Sequence, residues 1–215
     1  MTFLLVPPGV YQPRGDTELL IEALRREPMR GGSRVLDLGT GSGAAAVAAA
    51  RRGARVTAVD VSWRAVATTW VNGVLHRRFI RVRKGDLLAA VRGHSFDLVV
   101  SNPPYVPSPH LPLSGSARAW DAGPTGRFWL DRICREAPRA LKPEGVLLLV
   151  QSSLADVAET QRALRRVGLA VDTVSRVRRE FGPITRPRAR WLERNGLLAR
   201  GERHQELVVI RGVRS

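Results

Sequence analysis

The sequence predicts an α/β protein with a Rossmann-like fold: a seven-stranded, mostly parallel sheet with one antiparallel strand and helices on both faces. Three observations predict this fold. Short apolar runs, which are typical of buried strands, alternate along the chain with helical segments. A glycine-rich turn, Gly39 to Gly43, joins the first such run to a helix. The last two runs have no clear helix between them, so one strand should run antiparallel to its neighbours.

The elements follow in order along the chain. Apolar runs predict strands over residues 34–38, 56–60, 79–82, 96–101, 146–151, 171–177 and 207–211. Helices are predicted over residues 44–52, from a Ser62 cap to about residue 76, over 125–141 and over 153–167. Pro138 should bend or shorten the third of these helices, and Gly168 should end the fourth.

Length and composition predict one domain over residues 1–215, with an N-terminal segment and helix over 1–30 and a basic insertion over 176–205. No run is long enough to span a bilayer, and we see no signal peptide. Cys134 is the single cysteine, which excludes an internal disulfide and suits the cytoplasm. The four histidines show no metal-ligand spacing, and the five tryptophans are expected in the core or at its boundary.

The net charge is +16, from 35 basic and 19 acidic residues. Such a charge favours polyanionic partners such as RNA or a ribosome. All basic residues except Lys84 and Lys142 are arginines, however, which is also what the codon usage of a GC-rich genome would produce. Both interpretations stay open at this point.

The glycine-rich turn suggests a ligand site. Gly39, Gly41 and Gly43 allow positive φ and a close approach of the backbone to a ligand. Their spacing is not that of a dinucleotide site, and no P-loop Gly-Lys-Ser follows. Asp37 precedes the turn, and its carboxylate would repel pyrophosphate but attract an amino group or a sulfonium. The pattern therefore favours S-adenosylmethionine as cofactor.

Two further aspartates follow predicted strands at the same edge of the sheet. Asp60 is placed to accept hydrogen bonds from two ribose hydroxyls, and Asp86 from the adenine amino group. Val61 and Leu87, which follow them, are expected to line the same site. Any one of these acids alone would be explained as a strand-end or helix-capping residue. Three of them behind one glycine turn favour a cofactor site.

The sequence Asn102-Pro103-Pro104-Tyr105 follows the fourth strand. The prolines hold this loop extended and lack N–H groups, so the Pro103 carbonyl and the Asn102 side-chain oxygen are predicted as two free acceptors. Two acceptors suit an NH2 group, and Tyr105 offers a ring for a planar group to stack on. Hydrogen bonds from the NH2 group would direct a weakly nucleophilic nitrogen at a methyl donor. The alternative is a plain Pro-Pro turn.

Together the two motifs resemble those of the HemK-like protein methyltransferases, a family with the class I methyltransferase fold that includes glutamine N5-methyltransferases of release factors. Residues 10–20 and 120–127 are also similar to segments of that family, and the similarity covers roughly residues 8 to 175. The resemblance implies that Asn102 and Pro103 grip the acceptor amide, with Pro104, Tyr105 and Trp120 near the substrate.

The resemblance also implies a role for Thr17, whose hydroxyl would lie near the cofactor carboxylate. Alternatively, Asp16 or Thr17 caps a helix. The sequence lacks the long N-terminal helical domain of bacterial members, so it is closer to the compact eukaryotic and archaeal branch. In that branch a small zinc-ribbon subunit activates the enzyme.

Several acceptors remain open. A glutamine of a release factor or related protein is the first, adenine N6 of RNA or DNA the second and lysine the third. The alternative of another class is a non-catalytic fold that binds RNA or a ribosomal partner.

The stretch from Arg176 to Arg203 carries nine arginines and three glutamates. If the sixth strand is parallel to the first five, this stretch lies on the rim of the site, near the Asn102 loop. There Arg186, Arg188 and Arg190 would dock an acidic protein surface or RNA. The alternative is a solvated loop with a short helix around residues 189–198.

Overall fold

A computed structural model describes residues 3–112 and 115–215 of the chain. Its strands are β1 Arg34–Leu38, β2 Arg55–Asp60, β3 Ile80–Lys84, β4 Phe96–Ser101, β5 Leu141–Ser152, β6 Leu169–Glu180 and β7 His204–Arg214. They form one sheet in the order β3-β2-β1-β4-β5-β7-β6, and β7 runs antiparallel to both of its neighbours while the other pairs are parallel. The predicted fold is confirmed.

Six α-helices flank or extend this sheet. They are α1 Gly15–Arg26, α2 Ala44–Arg51, α3 Trp63–Leu75, α4 Phe128–Glu136, α5 Val157–Arg166 and α6 Ala189–Arg194. The Ser62 side chain caps α3 by accepting from the Ala65 N–H at 3.5 Å, as predicted. The helix predicted over 125–141 is shorter, because Pro138 lies in a 3-10 turn that follows Glu136.

The fourth predicted helix also begins later than expected. Residues Ser153–Ala155 form a 3-10 turn, and α5 starts only after Asp156, whose side chain accepts from the Glu159 N–H at 2.9 Å. The helix ends before Gly168, which adopts a φ of +88°.

The last strands are longer than the sequence predicted, so the connection between β6 and β7 is shorter. The ladder of β6 with β7 continues to the pair Glu180–His204, which leaves residues 181–203 to connect them rather than 176–205. The apolar signal missed the facing ends of both strands because these ends are polar: residues 178–180 are exposed and residues 204–206 are half-buried.

Apolar side chains cover both faces of the sheet. On one face the core contains the inward residues of β1, β4 and β5 together with α4 and α5, and on the other it contains α1 and α2. Cys134 lies in the core on the α4 and α5 face and is 1% exposed, as expected of a small core residue. No helix in the described ranges is long and apolar enough to cross a membrane.

The outer face of α3 departs from expectation. Trp63 and Trp70 are 67% and 60% exposed, so the prediction that all the tryptophans lie in the core or at its boundary is wrong for these two. Phe79, just before edge strand β3, is 86% exposed. Lys84 lies over the Trp63 ring at 5.2 Å, so the helix face and the edge strand form one continuous surface.

Candidate active site

A cavity of about 440 Å³ opens at the carboxyl ends of β1, β2, β3 and β4. This size suits a nucleoside-sized ligand. The cavity is lined by these residues predicted to bind the cofactor: Thr17, Asp37, Gly39, Gly41, Asp60, Val61, Asp86, Leu87 and Asn102. The topology explains their convergence, because parallel strands bring their following loops to one edge.

Gly43 is the predicted cofactor residue that does not line the cavity. It adopts a φ of +81° at the start of α2, and a Cβ there would lie 2.9 Å from Cγ2 of Thr69. The prediction is corrected: this glycine lets α2 and α3 pack closely. Gly39 and Gly41, with φ of +69° and +55°, do form the wall of the cavity.

Asp37 is a buried carboxylate without a cationic partner in the described structure. Its Oδ2 accepts from the Thr40 hydroxyl at 2.7 Å and the Ala46 N–H at 3.1 Å. Burial raises the pKa of Asp37 to about 6, and these two hydrogen bonds only partly oppose the rise. A buried acid that lines a cavity and has only neutral partners suits a ligand with a positive charge, as the amino group and sulfonium of S-adenosylmethionine provide.

Asp60 is tied to the backbone of two turns, the glycine-rich turn after β1 and the turn that follows Asp60 itself. Its Oδ2 accepts from the Gly41 N–H at 3.0 Å and its Oδ1 from the Ser62 N–H at 2.9 Å. Burial raises its pKa, and these backbone hydrogen bonds and the nearby Arg118 oppose the rise. Each oxygen keeps a second lone pair, so the carboxylate can still accept from a diol.

Asp86 has a partner that the sequence did not reveal. Its Oδ2 accepts from Arg132 Nη2 at 2.9 Å, and about half of its side chain is exposed. This ion pair joins the loop after β3, which lines the cavity, to helix α4.

The Asn102 side chain is held at the mouth of the cavity. Its Nδ2 donates to Oγ1 of Thr17 at 3.0 Å, so Thr17, which was expected near the cofactor carboxylate, contacts the Asn102 loop. No described residue donates to the Asn102 Oδ1 or to the Pro103 carbonyl. The two acceptors predicted from the sequence are therefore both free.

Sequence reasoning missed the role of Asp16, which lies beneath this loop. The carboxylate is 5% exposed and accepts from the hydroxyls of Tyr11, at 2.7 Å, and Tyr105, at 2.8 Å. Neither Asp16 nor Thr17 caps helix α1, because the residue at that position is Arg14. The signal that could have found Asp16 is an acid beside a hydroxyl residue in the segment that resembles the family.

Tyr105 differs from expectation. Its ring is 8% exposed, packs in the core and holds its hydroxyl on Asp16. Burial and the nearby Asp16 charge raise the pKa of this phenol well above its usual value. The prediction of an open stacking surface is corrected: the ring supports the loop from below and shows only an edge.

A second cavity, of about 400 Å³, lies on the other side of Asn102. It shares Tyr11, Asn102, Pro103, Pro104 and Ala119 with the first, so the two cavities meet at the loop. Pro104, Tyr105 and Trp120, predicted near the substrate, all line it. Residues 182–185 of the β6–β7 connection form another wall, which places this connection on the rim as predicted.

Arg188 anchors the β6–β7 connection to the chain that follows the loop. Its guanidinium pairs with both carboxylate oxygens of Asp121 and donates to the Pro107 carbonyl. Asp121 is 7% exposed. The expectation that Arg188 is free to dock a partner is therefore wrong, and α6, at 189–194, is shorter than the helix expected over 189–198.

Burial also decides what the cysteine can do. The thiol of Cys134 has its pKa raised to about 12 by burial, which makes it a poor nucleophile. Within the described ranges, no three histidine, cysteine or acidic side chains cluster as metal ligands.

Comparisons with known proteins agree with this geometry. Residues 6–114 match the methyltransferase small domain family. A putative protein N5-glutamine methyltransferase of Methanocaldococcus jannaschii is 34% identical over 83% of this chain and 90% of its own length. The release factor glutamine methyltransferase of Shewanella oneidensis is 40% identical over 64% of this chain, which spans 51% of that relative.

Among solved structures, a chain of the E. cuniculi Mtq2–Trm112 complex, which methylates the termination factor eRF1, has the same fold. The TM-score is 0.67 at 24% identity, over 96% of this chain and 99% of that one. The present chain thus spans nearly all of its compact relatives but about half the length of the bacterial release factor enzymes it matches. The chain therefore belongs to the methyltransferase small domain family, and its cavity and glycine turn agree with its being an S-adenosylmethionine-dependent methyltransferase.

Proposed function

We propose that this protein methylates the side-chain amide nitrogen of a glutamine, in a translation release factor or a related protein. One observation carries the proposal: the Asn102 oxygen and the Pro103 carbonyl, which accept from no donor in the described ranges, lie where the two cavities meet. Methylation needs the methyl donor on one side of that point and the acceptor nitrogen on the other. The names of the relatives from M. jannaschii and S. oneidensis support glutamine as the acceptor.

In this proposal each part of the site has a stated task. S-adenosylmethionine, when bound, supplies an electrophilic methyl group. Asp37 holds a positive charge of the cofactor and Asp60 accepts from its ribose hydroxyls. The two free oxygens of the loop accept the N–H groups of the acceptor amide, which increases the electron density on nitrogen and orients it for attack. No strong base is required, because the nitrogen loses its proton easily once it carries the methyl group.

Adenine N6 of RNA or DNA is the second candidate acceptor, because it also presents a planar NH2 group to two oxygens. The net charge of +16 favours it. Lysine fits less well, since a flexible charged amine does not need two acceptors in a rigid loop. A non-catalytic RNA-binding or ribosome-binding role would leave the free acceptors without a task.

The deciding experiment uses purified protein, labelled S-adenosylmethionine and host lysate. The proposal is supported if the label is lost on treatment with trypsin, survives treatment with RNase, and is assigned by mass spectrometry to a glutamine of a protein. Asn102→Ala should abolish the transfer while calorimetry gives an unchanged cofactor affinity, because this residue acts on the acceptor. Label that RNase removes would favour adenine instead.

We also propose that a small partner subunit, of the zinc-ribbon kind that the resemblance implies, binds the exposed face of α3 and edge strand β3. Apolar residues crowd this face: Phe3, Trp63, Trp70, Val74, Leu75 and Phe79 are each more than half exposed. Strand β3 adds Arg81, Arg83 and Lys84, so an acidic partner fits the charge and a second copy of this chain does not.

Adding candidate subunits from the host to the purified chain tests this. Binding that fails in a Trp63→Ser, Trp70→Ser double variant supports the proposal, and full activity of the chain alone contradicts it. We also propose a cytoplasmic location, which a release factor substrate and the single cysteine would suit.

A further inference from the structure

Asp16 takes no direct part in the proposed chemistry, yet the contacts that hold Asn102 converge on it. Its Oδ2 accepts from the Tyr11 and Tyr105 hydroxyls, at 2.7 and 2.8 Å. Its Oδ1 accepts from the N–H of Thr17 at 2.7 Å and from the hydroxyl of Thr17 at 3.3 Å. A carboxylate has about four lone-pair sites. These four donors fill them, so Asp16 is not placed to remove a proton from the acceptor.

The charge of Asp16 sets the direction of the hydrogen bonds that follow it. A carboxylate can only accept, so the hydroxyl of Thr17 gives its single proton to Asp16. The Thr17 oxygen is then left as an acceptor, and it accepts from Nδ2 of Asn102 at 3.0 Å. The Asn102 amide therefore turns its nitrogen towards Thr17 and its oxygen away from it.

This direction matters because an asparagine amide has nearly the same shape in either orientation. In the opposite orientation the NH2 group of Asn102 would face the NH2 group of the acceptor, and two donors would meet. Thr17 alone does not choose between the orientations, since a hydroxyl can donate as well as accept. The choice requires a partner of Thr17 that accepts only.

We propose that Asp16 is a positioning residue that acts through Thr17 to fix the Asn102 amide with its oxygen facing the acceptor. The inference rests on the proposed role of Asn102 and extends it to a buried carboxylate in the wall of the second cavity, whose hydrogen bonds are all to protein donors. The network that performs it joins the N-terminal segment to the loop after β4, two parts of the chain 85 residues apart.

Asp16→Asn tests the proposal with little change of shape. The new amide can donate as well as accept, so the direction of the Thr17 hydrogen bond is no longer imposed. We expect kcat to fall by about tenfold or more, which corresponds to about 1.4 kcal/mol. The cofactor dissociation constant should change by less than about twofold, which is much smaller than the expected change in kcat.

The Thr17 variants separate positioning from simple stability. Thr17→Val should lose as much rate as Asp16→Asn, and the double variant should be no slower than Thr17→Val alone, because Asp16 acts through that hydroxyl. Thr17→Ser keeps the hydroxyl and should recover most of the rate lost in Thr17→Val. Independent, additive losses would overturn the proposal.

Asp97→Asn is the matched control for the loss of a structural carboxylate. Asp97 accepts from the Arg34 N–H and from Lys142 Nζ, both at 2.7 Å, at the opposite end of β4. It should lower the melting temperature and leave kcat unchanged. If Asp97→Asn lowers kcat as much as Asp16→Asn does, the effect is one of stability and the proposal fails.

An NMR measurement needs no acceptor and so separates this proposal from the glutamine assignment. In ¹⁵N-labelled wild type, the Asn102 NH2 protons should show a cross-relaxation signal to the Thr17 methyl group, and in Asp16→Asn this signal should weaken as both orientations become populated. An unchanged signal overturns the positioning role even if the protein methylates glutamine. If Asp16→Asn does not fold, Thr17→Ser is the fallback: it keeps the hydroxyl but lacks the methyl group, so the Asn102 NH2 protons should show a signal to the β protons of the residue at position 17, and the absence of that signal would contradict the proposal.

Discussion

Two buried aspartates of this site are in opposite situations, and each situation indicates a task. Asp16 accepts four hydrogen bonds from protein donors, so it belongs to the framework. Asp37 accepts from two neutral donors and lines the cavity, so its charge is left for a ligand. The same residue type, equally buried, thus serves structure in one place and binding in the other because of the donors around it.

The state of Asp37 should make cofactor binding depend on pH. With a pKa of about 6, this carboxyl is mostly protonated below that pH and charged above it. A cationic ligand binds the charged form, so affinity should rise from about pH 5 to pH 7 and then level off. Calorimetry across that range measures it. In Asp37→Asn the affinity should be weak and flat, and an equally steep rise in that variant would assign the pH dependence to another group.

The stability of the ligand-free protein should change with pH in the opposite sense. A carboxyl whose pKa is raised on folding binds its proton more tightly in the folded state. Its contribution to the free energy of unfolding is therefore present below about pH 4 and is lost as pH rises through about 6.

Among the elements, the turn between β1 and α2 divides its glycines between two tasks. Gly39 and Gly41 form the cavity wall, whereas Gly43 sits against Thr69 of α3. The motif predicted a ligand site correctly but did not separate these tasks, because spacing records where glycine occurs and not what its missing Cβ would meet.

Gly43→Ala should destabilise the protein by more than its backbone conformation alone explains. The new Cβ would lie 2.9 Å from Thr69 Cγ2 and 3.1 Å from its Cα, whereas Gly93, with a similar φ of +75°, has nothing within 4 Å. We expect Gly43→Ala to reduce the free energy of unfolding by about 1–3 kcal/mol more than Gly93→Ala does. Urea unfolding of both variants measures the difference. Equal losses would mean that α3 moves aside.

How much of the structure the sequence predicted depended on whether a feature is set by local sequence patterns or by contacts between distant residues. Apolar periodicity located all seven strands, and strand ends then placed the acids and Asn102 at one edge. Periodicity failed where neighbours decide: the ends of β6 and β7 are held by pairing with each other, and Trp63 stays exposed although it is apolar. Contacts between distant residues, such as Asn102 with Thr17, have no local signature at all.

At the scale of the whole molecule, some of the positively charged side chains are paired with acids and others are not. Around the β6–β7 connection several arginines form ion pairs, including Arg176 with Glu206 and Arg203 with Glu193. Arg179 lines the second cavity and forms no ion pair with any residue in the described ranges. Arg14 lines the same cavity and also has no ion pair within the described ranges, so part of the free positive charge lies at the site.

Arg179→Ala should raise the KM for the acceptor by about three- to tenfold, roughly 1 kcal/mol, and make it less sensitive to salt. Cofactor affinity should not change, since this residue does not line the first cavity. Initial rates over a series of salt concentrations measure both effects. Arg139→Ala is the control, because it removes one exposed charge at the far end of the sheet. If both variants behave alike, the charge acts through the overall field and not at the cavity.

The connection over residues 181–203 leaves the sheet and returns to it at one point, since Glu180 pairs with His204 and the Phe181 N–H donates to the Arg203 carbonyl at 2.9 Å. Its apolar residues Phe181, Ala189 and Leu192 pack with Leu154, which lies in the turn after β5. A segment with adjacent ends can be exchanged without changing the strands on either side of it, provided that the contact with Leu154 is kept. If this segment selects the acceptor, a graft from a relative should redirect the choice of acceptor and preserve methyl transfer.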